Sequence, residues 1–280
     1  MSAFVLLRRV FWALILSFVA VGSVAQDTRA QQFEPEVGQR GKDVIWIPTP
    51  QALVDRMLNL AEVTPKDYVV DLGSGDGRTV ISAVKRGARA LGVEYNPDMV
   101  ALSRRRAAEE GVGDKARFIN GDIFETDFSA ATVVTLFLLP DLNIKLRPKI
   151  LEMKPGTRVV SNSFTMAEWR ADQIVTASRE TGCDSYCTAY LWIVPTKVAG
   201  AWRMDGGELA LKQEFQMISG SLKIGGKTTP VTGGRLRGDE IRFGAGGAVY
   251  TGRVRGDTIE GTVKSGIRVR LWKARRDVRS

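Results

Sequence analysis

The rhythm of apolar positions changes partway along this chain. From about residue 45 to 198, apolar residues come in short runs at 67–72, 88–93, 116–119, 131–139 and 157–162. Runs of this length bounded by turn residues predict buried strands, and the unbroken one at 131–139 predicts a strand covered on both faces. Between them the spacing becomes helical. Residues 51–61 carry apolar side chains at 53, 54, 57, 58, 60 and 61, the stripe of an amphipathic helix. Further helices are predicted over 78–86, over 96–110, where Asn96, Pro97 and Asp98 supply start chemistry, and over 144–153, stopped by Lys154-Pro-Gly156. Strands alternating with helices at this spacing predict an α/β fold, a doubly wound, mostly parallel Rossmann-like sheet.

From residue 199 to 276 the pattern becomes strict alternation broken by glycine turns. Gly234-Arg-Leu-Arg-Gly-Asp239 recurs 18 residues later as Gly252-Arg-Val-Arg-Gly-Asp257. Each Gly-Asp falls between two alternating segments, so the unit reads as strand, tight turn, strand, and the whole as a small C-terminal antiparallel β module. Residues 200–280 hold 16 Lys and Arg against 8 Asp and Glu, which places +8 of the chain's net +9 there. That surplus suits an acidic partner surface such as lipid headgroups, polysaccharide or an acidic protein. Nucleic acid is a further partner to weigh, with Phe243, Tyr250 and Trp272 serving either as stacking platforms or as core.

At the other end, Arg8 and Arg9 precede the apolar stretch Val10 to Val21 and the small residues Ser23-Val-Ala25. Residues 1–25 therefore read as a signal peptide cleaved after Ala25, or as an uncleaved membrane anchor. The expected location is exported, periplasmic or membrane-attached; a cytoplasmic one stays open. Residues 26–44, polar and rich in Gln, read as a mobile lead-in. Cys183 and Cys187, the only cysteines, suit either a short disulfide or two buried thiols. The 280 residues include no histidine, which excludes Ser-His-Asp chemistry and histidine metal sites; no metal site is expected.

The chemistry concentrates at Asp71-Leu-Gly-Ser-Gly-Asp-Gly77, where a strand runs through an acid into a turn with Gly73, Gly75 and Gly77 around Ser74. Glycine permits positive φ and close backbone approach, and a side chain at Gly75 would fill the space a ligand needs. The spacing is G-x-G-x-G and not the pyrophosphate fingerprint G-x-G-x-x-G, so the cofactor expected is one without phosphates. Asp71 would repel a pyrophosphate and attract a cationic amino group, which S-adenosyl-L-methionine offers. Glu94 ends the next run 21 residues after Gly73, the distance at which such folds place a ribose-binding acid, with Tyr95 beside it. Asp122 follows the third run and is the candidate acceptor for the adenine amino group, with Ile123 and Phe124 against the ring. Pro48 and Pro50 hold the approach to the first helix extended, in position to lay Trp46 or Thr49 over the cofactor end of the sheet.

With these motifs, residues 45–195 resemble the class I, seven-strand S-adenosylmethionine-dependent methyltransferases. Asp71-Leu-Gly-Ser-Gly-Asp-Gly-Arg78, Gly92-Val-Glu-Tyr-Asn-Pro97 and Arg158-Val-Val-Ser-Asn-Ser-Phe164 are similar to the protein-lysine methyltransferases of the mitochondrial ATP synthase and adenine nucleotide translocase type. The resemblance implies N-methylation, with a protein lysine as first acceptor. Acceptor-side candidates are Phe137, Pro140, Asp141 and Asn143 after the fourth strand, and Asn162 and Phe164 after the fifth. Two alternatives stay open: methylation of a lipid, quinone or small amine, and a non-catalytic cofactor-binding protein that works through its basic β module.

Overall fold

The computed structural model describes residues 32–277. Residues 1–25, expected to be a signal peptide or anchor, and the first part of the lead-in lie outside those residues. The first half is built from α1 (Gln51–Leu60), β1 (Tyr68–Leu72), α2 (Arg78–Lys85), β2 (Arg89–Glu94), α3 (Pro97–Glu109), β3 (Ala116–Asn120), β4 (Val133–Leu136), α4 (Pro140–Leu151), β5 (Arg158–Asn162), β6 (Gln173–Thr176) and β7 (Thr188–Ile193). The strands form one sheet in the order β3-β2-β1-β4-β5-β7-β6. β1 to β5 pair in parallel, and β7 runs antiparallel between β5 and β6. The strand order therefore reverses at β1, between β2 and β4, the point where open α/β sheets leave a crevice at their carboxyl ends.

Side-chain alternation along β1 sends Val69 to one face and Val70 and Leu72 to the other. Val69 joins the core under α1, α2 and α3, with Leu53, Leu58, Val80 and Val100. Val70 and Leu72 join a second core under α4, with Leu146 and Ile150. Among the described residues α4 is the one helix covering this second face, so Phe128, Met166, Trp169 and Trp192 complete its packing.

Two expectations need correction. The lead-in is not loose over its described part: Gly38 N–H donates to the Trp46 carbonyl at 2.9 Å, and Trp46 N–H to the Gln39 carbonyl at 2.8 Å. These bonds fold residues 38–46 into a hairpin strap, a non-local arrangement that polar composition does not announce. The second correction concerns α4, which starts at Pro140 rather than at residue 144. Proline has its φ preset for the first helical turn and lacks an N–H that would find no partner there. Pro140, Asp141 and Asn143 are thus helical, and the long apolar run divides into a four-residue strand and the segment Phe137–Leu139 leading to the helix.

The C-terminal strands are β8 (Gly200–Met204), β9 (Gly207–Glu214), β10 (Met217–Ile224), β11 (Lys227–Pro230), β12 (Thr232–Arg237), β13 (Glu240–Ala245), β14 (Ala248–Arg255), β15 (Thr258–Ser265) and β16 (Arg268–Arg276). They pair antiparallel in the order β11-β10-β12-β13-β14-β15-β16-β8-β9, and β9 also pairs with β10. The module is thereby a closed ring of eight strands with β11 added outside it. Both Gly-Asp repeats fall at hairpin turns, β12–β13 and β14–β15. An eight-stranded ring is just wide enough for side chains to fill, and Trp202, Leu209, Leu236, Phe243 and Ile259 fill it. Phe243 and Tyr250 stack at 4.8 Å with Trp272 edge-on to both. All three rings are buried and belong to the core, which removes them as stacking platforms for nucleic acid. Outside, acids neutralise part of the basic surplus: Arg253 pairs with Asp239 and Glu240, Lys273 with Glu260, and Arg276 with Asp257.

The barrel rests on the second face of the sheet. Phe215, in the β9–β10 turn, stacks on Trp169 at 6.0 Å and 11°. Gln216 Nε2 donates to the Arg170 carbonyl at 2.7 Å, and Arg235 pairs with Asp172 at 2.6 Å.

Candidate functional site

A pocket opens at the carboxyl edge of the parallel strands, a cavity of about 240 Å³. Asp71, Glu94 and Asp122, which belong to three successive strands or their exits, all line it. Their neighbours there include Gly73, Ser74, Gly75, Tyr95 and Ile123, followed on the far side by Phe137, Leu138, Leu139, Leu142, Phe164 and Tyr186. Among the described residues, none of the barrel contributes to the lining.

Glu94 ties the glycine turn in place. Its Oε2 accepts from Gly75 N–H at 2.9 Å and its Oε1 from Asn96 N–H at 2.9 Å. A carboxylate offers about four lone-pair positions, so two remain for a ligand. Asp71 is buried, and its Oδ1 accepts from the Thr135 hydroxyl at 2.6 Å. Burial pushes its carboxyl up to about 7; the nearby Glu94 and Asp76 charges push the same way, and the Thr135 and Thr79 hydroxyls work against them.

Asp76, absent from the sequence-based set, is buried at the base of the same pocket. Burial opposes its charge, but hydrogen bonds from Arg78 and the charges of Arg78 and Arg106 outweigh burial and hold it below the usual carboxylate range. Arg78 approaches to 2.6 Å and Arg106 to 2.5 Å. Arg78 also donates to the Thr49 carbonyl at 2.8 Å, which fixes the start of α1 beside the pocket.

The strap supplies the remaining wall. A Cβ at Gly75 would lie 2.8 Å from Trp46 Nε1, so the space beside this glycine admits Trp46 rather than standing open for a ligand. Lys42, at the strap's tip, pairs with Asp122 at 2.5 Å and lies 4.6 Å from the Tyr95 ring centroid. Hydrogen bonding to Lys42, then to Phe124 N–H, keeps Asp122 below the usual carboxylate range. Phe124 faces Lys145 and not the pocket.

Several sequence candidates sit elsewhere. Gly77, φ 82°, caps α2 and has Ser103 and Phe118 where its Cβ would be, so it serves close packing of helix on strand. The Ser74 hydroxyl is turned to Gly92, buried and without a partner among the described residues, which leaves its backbone to face the pocket. Pro140, Asp141, Asn143 and Asn162 do not line the pocket. Asn143 Nδ2 reaches Ser161 Oγ and the Phe164 and Thr165 carbonyls at 3.3–3.4 Å, bracing the turn that carries Phe164. Asn162 donates to the Thr49 hydroxyl at 3.2 Å and so supports the opposite wall from behind.

The donor set fits S-adenosylmethionine: acids for an ammonium and a diol, a phosphate-free turn, and an apolar far end. A sheet of this order with such a crevice defines a seven-strand S-adenosylmethionine-dependent methyltransferase. The family model described as "ANTKMT methyltransferase domain" matches residues 71–173, and with the relative described next it shows that the chain belongs to this methyltransferase family. A protein-lysine N-methyltransferase of Saccharolobus islandicus (strain REY15A) is 41% identical over 154 residues, 54% of this chain and 94% of that protein. The adenine nucleotide translocase lysine N-methyltransferase of Mus musculus is 35% identical over 124 residues, 44% of this chain and 54% of that protein. A solved structure described as an RNA methyltransferase from Salinibacter ruber, in complex with S-adenosyl-L-homocysteine, is 48% identical with TM-score 0.50, covering 54% of this chain and 96% of that one. The chain is a methyltransferase and its cofactor is S-adenosyl-L-methionine.

Proposed function

We propose that the chain transfers a methyl group to the ε-amino nitrogen of a protein lysine. The observation that carries this reading is the polarity of the pocket: its carboxylates come from β1 and the glycine turn, from the ends of β2 and β3 and from the strap, and the far end is aromatic and aliphatic. In this assignment Glu94 gives its free lone pairs to the ribose hydroxyls, Asp71 faces the cofactor's ammonium, and Ile123 and Tyr95 flank the adenine. Asp122 accepts from the adenine amino group while sharing its charge with Lys42. S-adenosylmethionine supplies a methyl group on an electrophilic sulfonium. The protein's part is to align acceptor nitrogen, methyl and sulfur and to exclude water. With a reference pKa near 10.4, a neutral lysine costs roughly 4.6 kcal/mol at pH 7. Phe137, Leu138, Leu139 and Leu142 lower that cost, because an apolar wall disfavours the charged amine.

Labelled-methyl transfer into a lysate of the native cell tests the acceptor. The expected label is protease-sensitive and recovered as methyl-lysine after hydrolysis. Label released by ribonuclease, as the description of the Salinibacter ruber relative would suggest, or extracted with lipid, sinks the lysine assignment.

Asp71 gives the reading a pH signature. Its carboxyl, at about 7 in the folded chain against about 3.9 in a free chain, holds a proton more tightly when folded. That contribution to stability is complete below about pH 4 and is lost as pH rises through about 7. Affinity for the cofactor's ammonium runs the other way, since it needs the ionised form. Binding of S-adenosylhomocysteine is expected to be about 10- to 30-fold tighter at pH 8 than at pH 5.5. Asp71→Asn should bind weakly at both; a parallel pH slope in that variant would remove Asp71 from the role.

A further inference from the structure

Tyr186 is a non-glycine residue in left-handed backbone, φ 54°, and it is 39% exposed at the pocket wall. Left-handed aromatic residues are genuine outliers, and such conformations persist only where surroundings impose them. The residue sits inside a clasp. Cys183 and Cys187 are joined by a disulfide that closes the loop around Tyr186. Cys183 is buried in the core beneath α1, with Cys187 packed against it. The Cys187 carbonyl accepts from Ala177 N–H at 2.8 Å, and Ser178 and Thr181 cap each other at the start of the loop. Because β7 pairs with β5 as Ala189 with Asn162, this loop emerges at the carboxyl edge of β5, where the pocket is.

The ring of Tyr186 lies 5.3 Å from Phe137 and 6.1 Å from Phe164, and the two phenylalanines are 6.1 Å apart. The three come from the end of β4, the turn after β5 and the disulfide loop. A cation seated against this cluster reaches all three rings within about 6 Å, the range of cation–π attraction. The lining around them, Leu138, Leu139 and Leu142, holds no carboxylate.

We propose that Phe137, Phe164 and Tyr186 form an aromatic box that admits the methyl acceptor as its neutral amine and holds the alkylammonium head of the methylated product, with the Cys183–Cys187 bridge as the positioning element that keeps Tyr186 in it. The proposal rests on the amine-acceptor reading. Stripping water from an unmethylated ammonium against these apolar walls costs more than the ring quadrupoles return, so the amine enters neutral, whereas the methylated product cation is more weakly hydrated and is held by the quadrupoles and added methyl contacts. Affinity therefore rises with each methyl added. Reduction of the bridge by a dithiol, which becomes a disulfide while Cys183 and Cys187 each take up a hydrogen, unclasps the loop and weakens acceptor binding. The cofactor end, built on β1 to β3, is left as it was.

The test titrates the full chain, loaded with S-adenosylhomocysteine, with Nα-acetyl-trimethyllysine amide and with the neutral isostere carrying tert-butyl in place of trimethylammonium. The cation is expected to bind about tenfold more tightly than the isostere. Tyr186→Ala and the Cys183→Ser/Cys187→Ser double variant should each lose about five- to tenfold of that affinity. Tyr186→Phe should retain it, and S-adenosylhomocysteine affinity should stay within about twofold throughout. Equal binding of cation and isostere, with S-adenosylhomocysteine binding intact, overturns the box alone; undiminished binding in Tyr186→Ala does the same. Full cation affinity in the double cysteine variant overturns the positioning role of the bridge. Failure of the unaltered chain to bind S-adenosylhomocysteine overturns the cofactor assignment and the box with it.

Discussion

Glu94→Ala is expected to weaken S-adenosylhomocysteine binding by about 10²- to 10⁴-fold, read by calorimetry on folded protein. Two ribose hydroxyls each lose a charge-assisted acceptor, roughly 1.5–3 kcal/mol apiece. The substitution also strands Gly75 N–H and Asn96 N–H, both held at 2.9 Å by this carboxylate, so the turn keeps its backbone bonds from Gly73 and Ser74 to the Val93 carbonyl but loses its side-chain tie to β2. Glu94→Gln separates the two effects, because an amide keeps one acceptor oxygen and presents a donor where the second N–H needs an acceptor. It should fall between the parent and the alanine variant. Affinity within tenfold of the parent in Glu94→Ala would detach this residue from the cofactor.

Trp169→Ala should destabilise the protein by about 3–5 kcal/mol, the usual cost of emptying a fully buried large aromatic. Trp169 is fully buried between Trp192 and Phe215, and its carbonyl accepts from Trp192 Nε1 at 2.7 Å. It therefore joins the second core of the sheet to the barrel, and its removal should loosen both. Chemical denaturation checks the size of the effect. Limited proteolysis between residues 195 and 200 checks the coupling, since a loosened barrel exposes the connecting segment. A loss below about 1 kcal/mol would show that the barrel does not lean on this ring.

The parallel sheet and the glycine turn were legible because each rests on local pattern: an apolar run, an acid, then glycines at alternate positions. The meeting of Asp71, Glu94 and Asp122 in one pocket followed from the rule that strands of such a sheet end at a common edge. What stayed hidden depends on contacts between distant segments. Lys42 reaches Asp122 across 80 residues, and Arg106 reaches Asp76 across 30. Asp76 stands inside the motif with Arg78 two residues on, yet nothing local announces Arg106. Asn143 and Asn162 looked like groups facing a ligand because they follow strands. Their burial turned them into braces for Phe164 and Thr49. Tyr186 lay between two cysteines whose pairing the spacing left open.

The barrel's first strand, β8, pairs with its last, β16, with Trp202 opposite Arg276. The chain therefore enters and leaves the ring at a single seam. A unit whose two ends meet can be grafted onto a catalytic body, or lost from it, through one junction, without rethreading either part. The Saccharolobus islandicus relative matches 54% of this chain along 94% of its own length, so close to half of this chain lies outside that match.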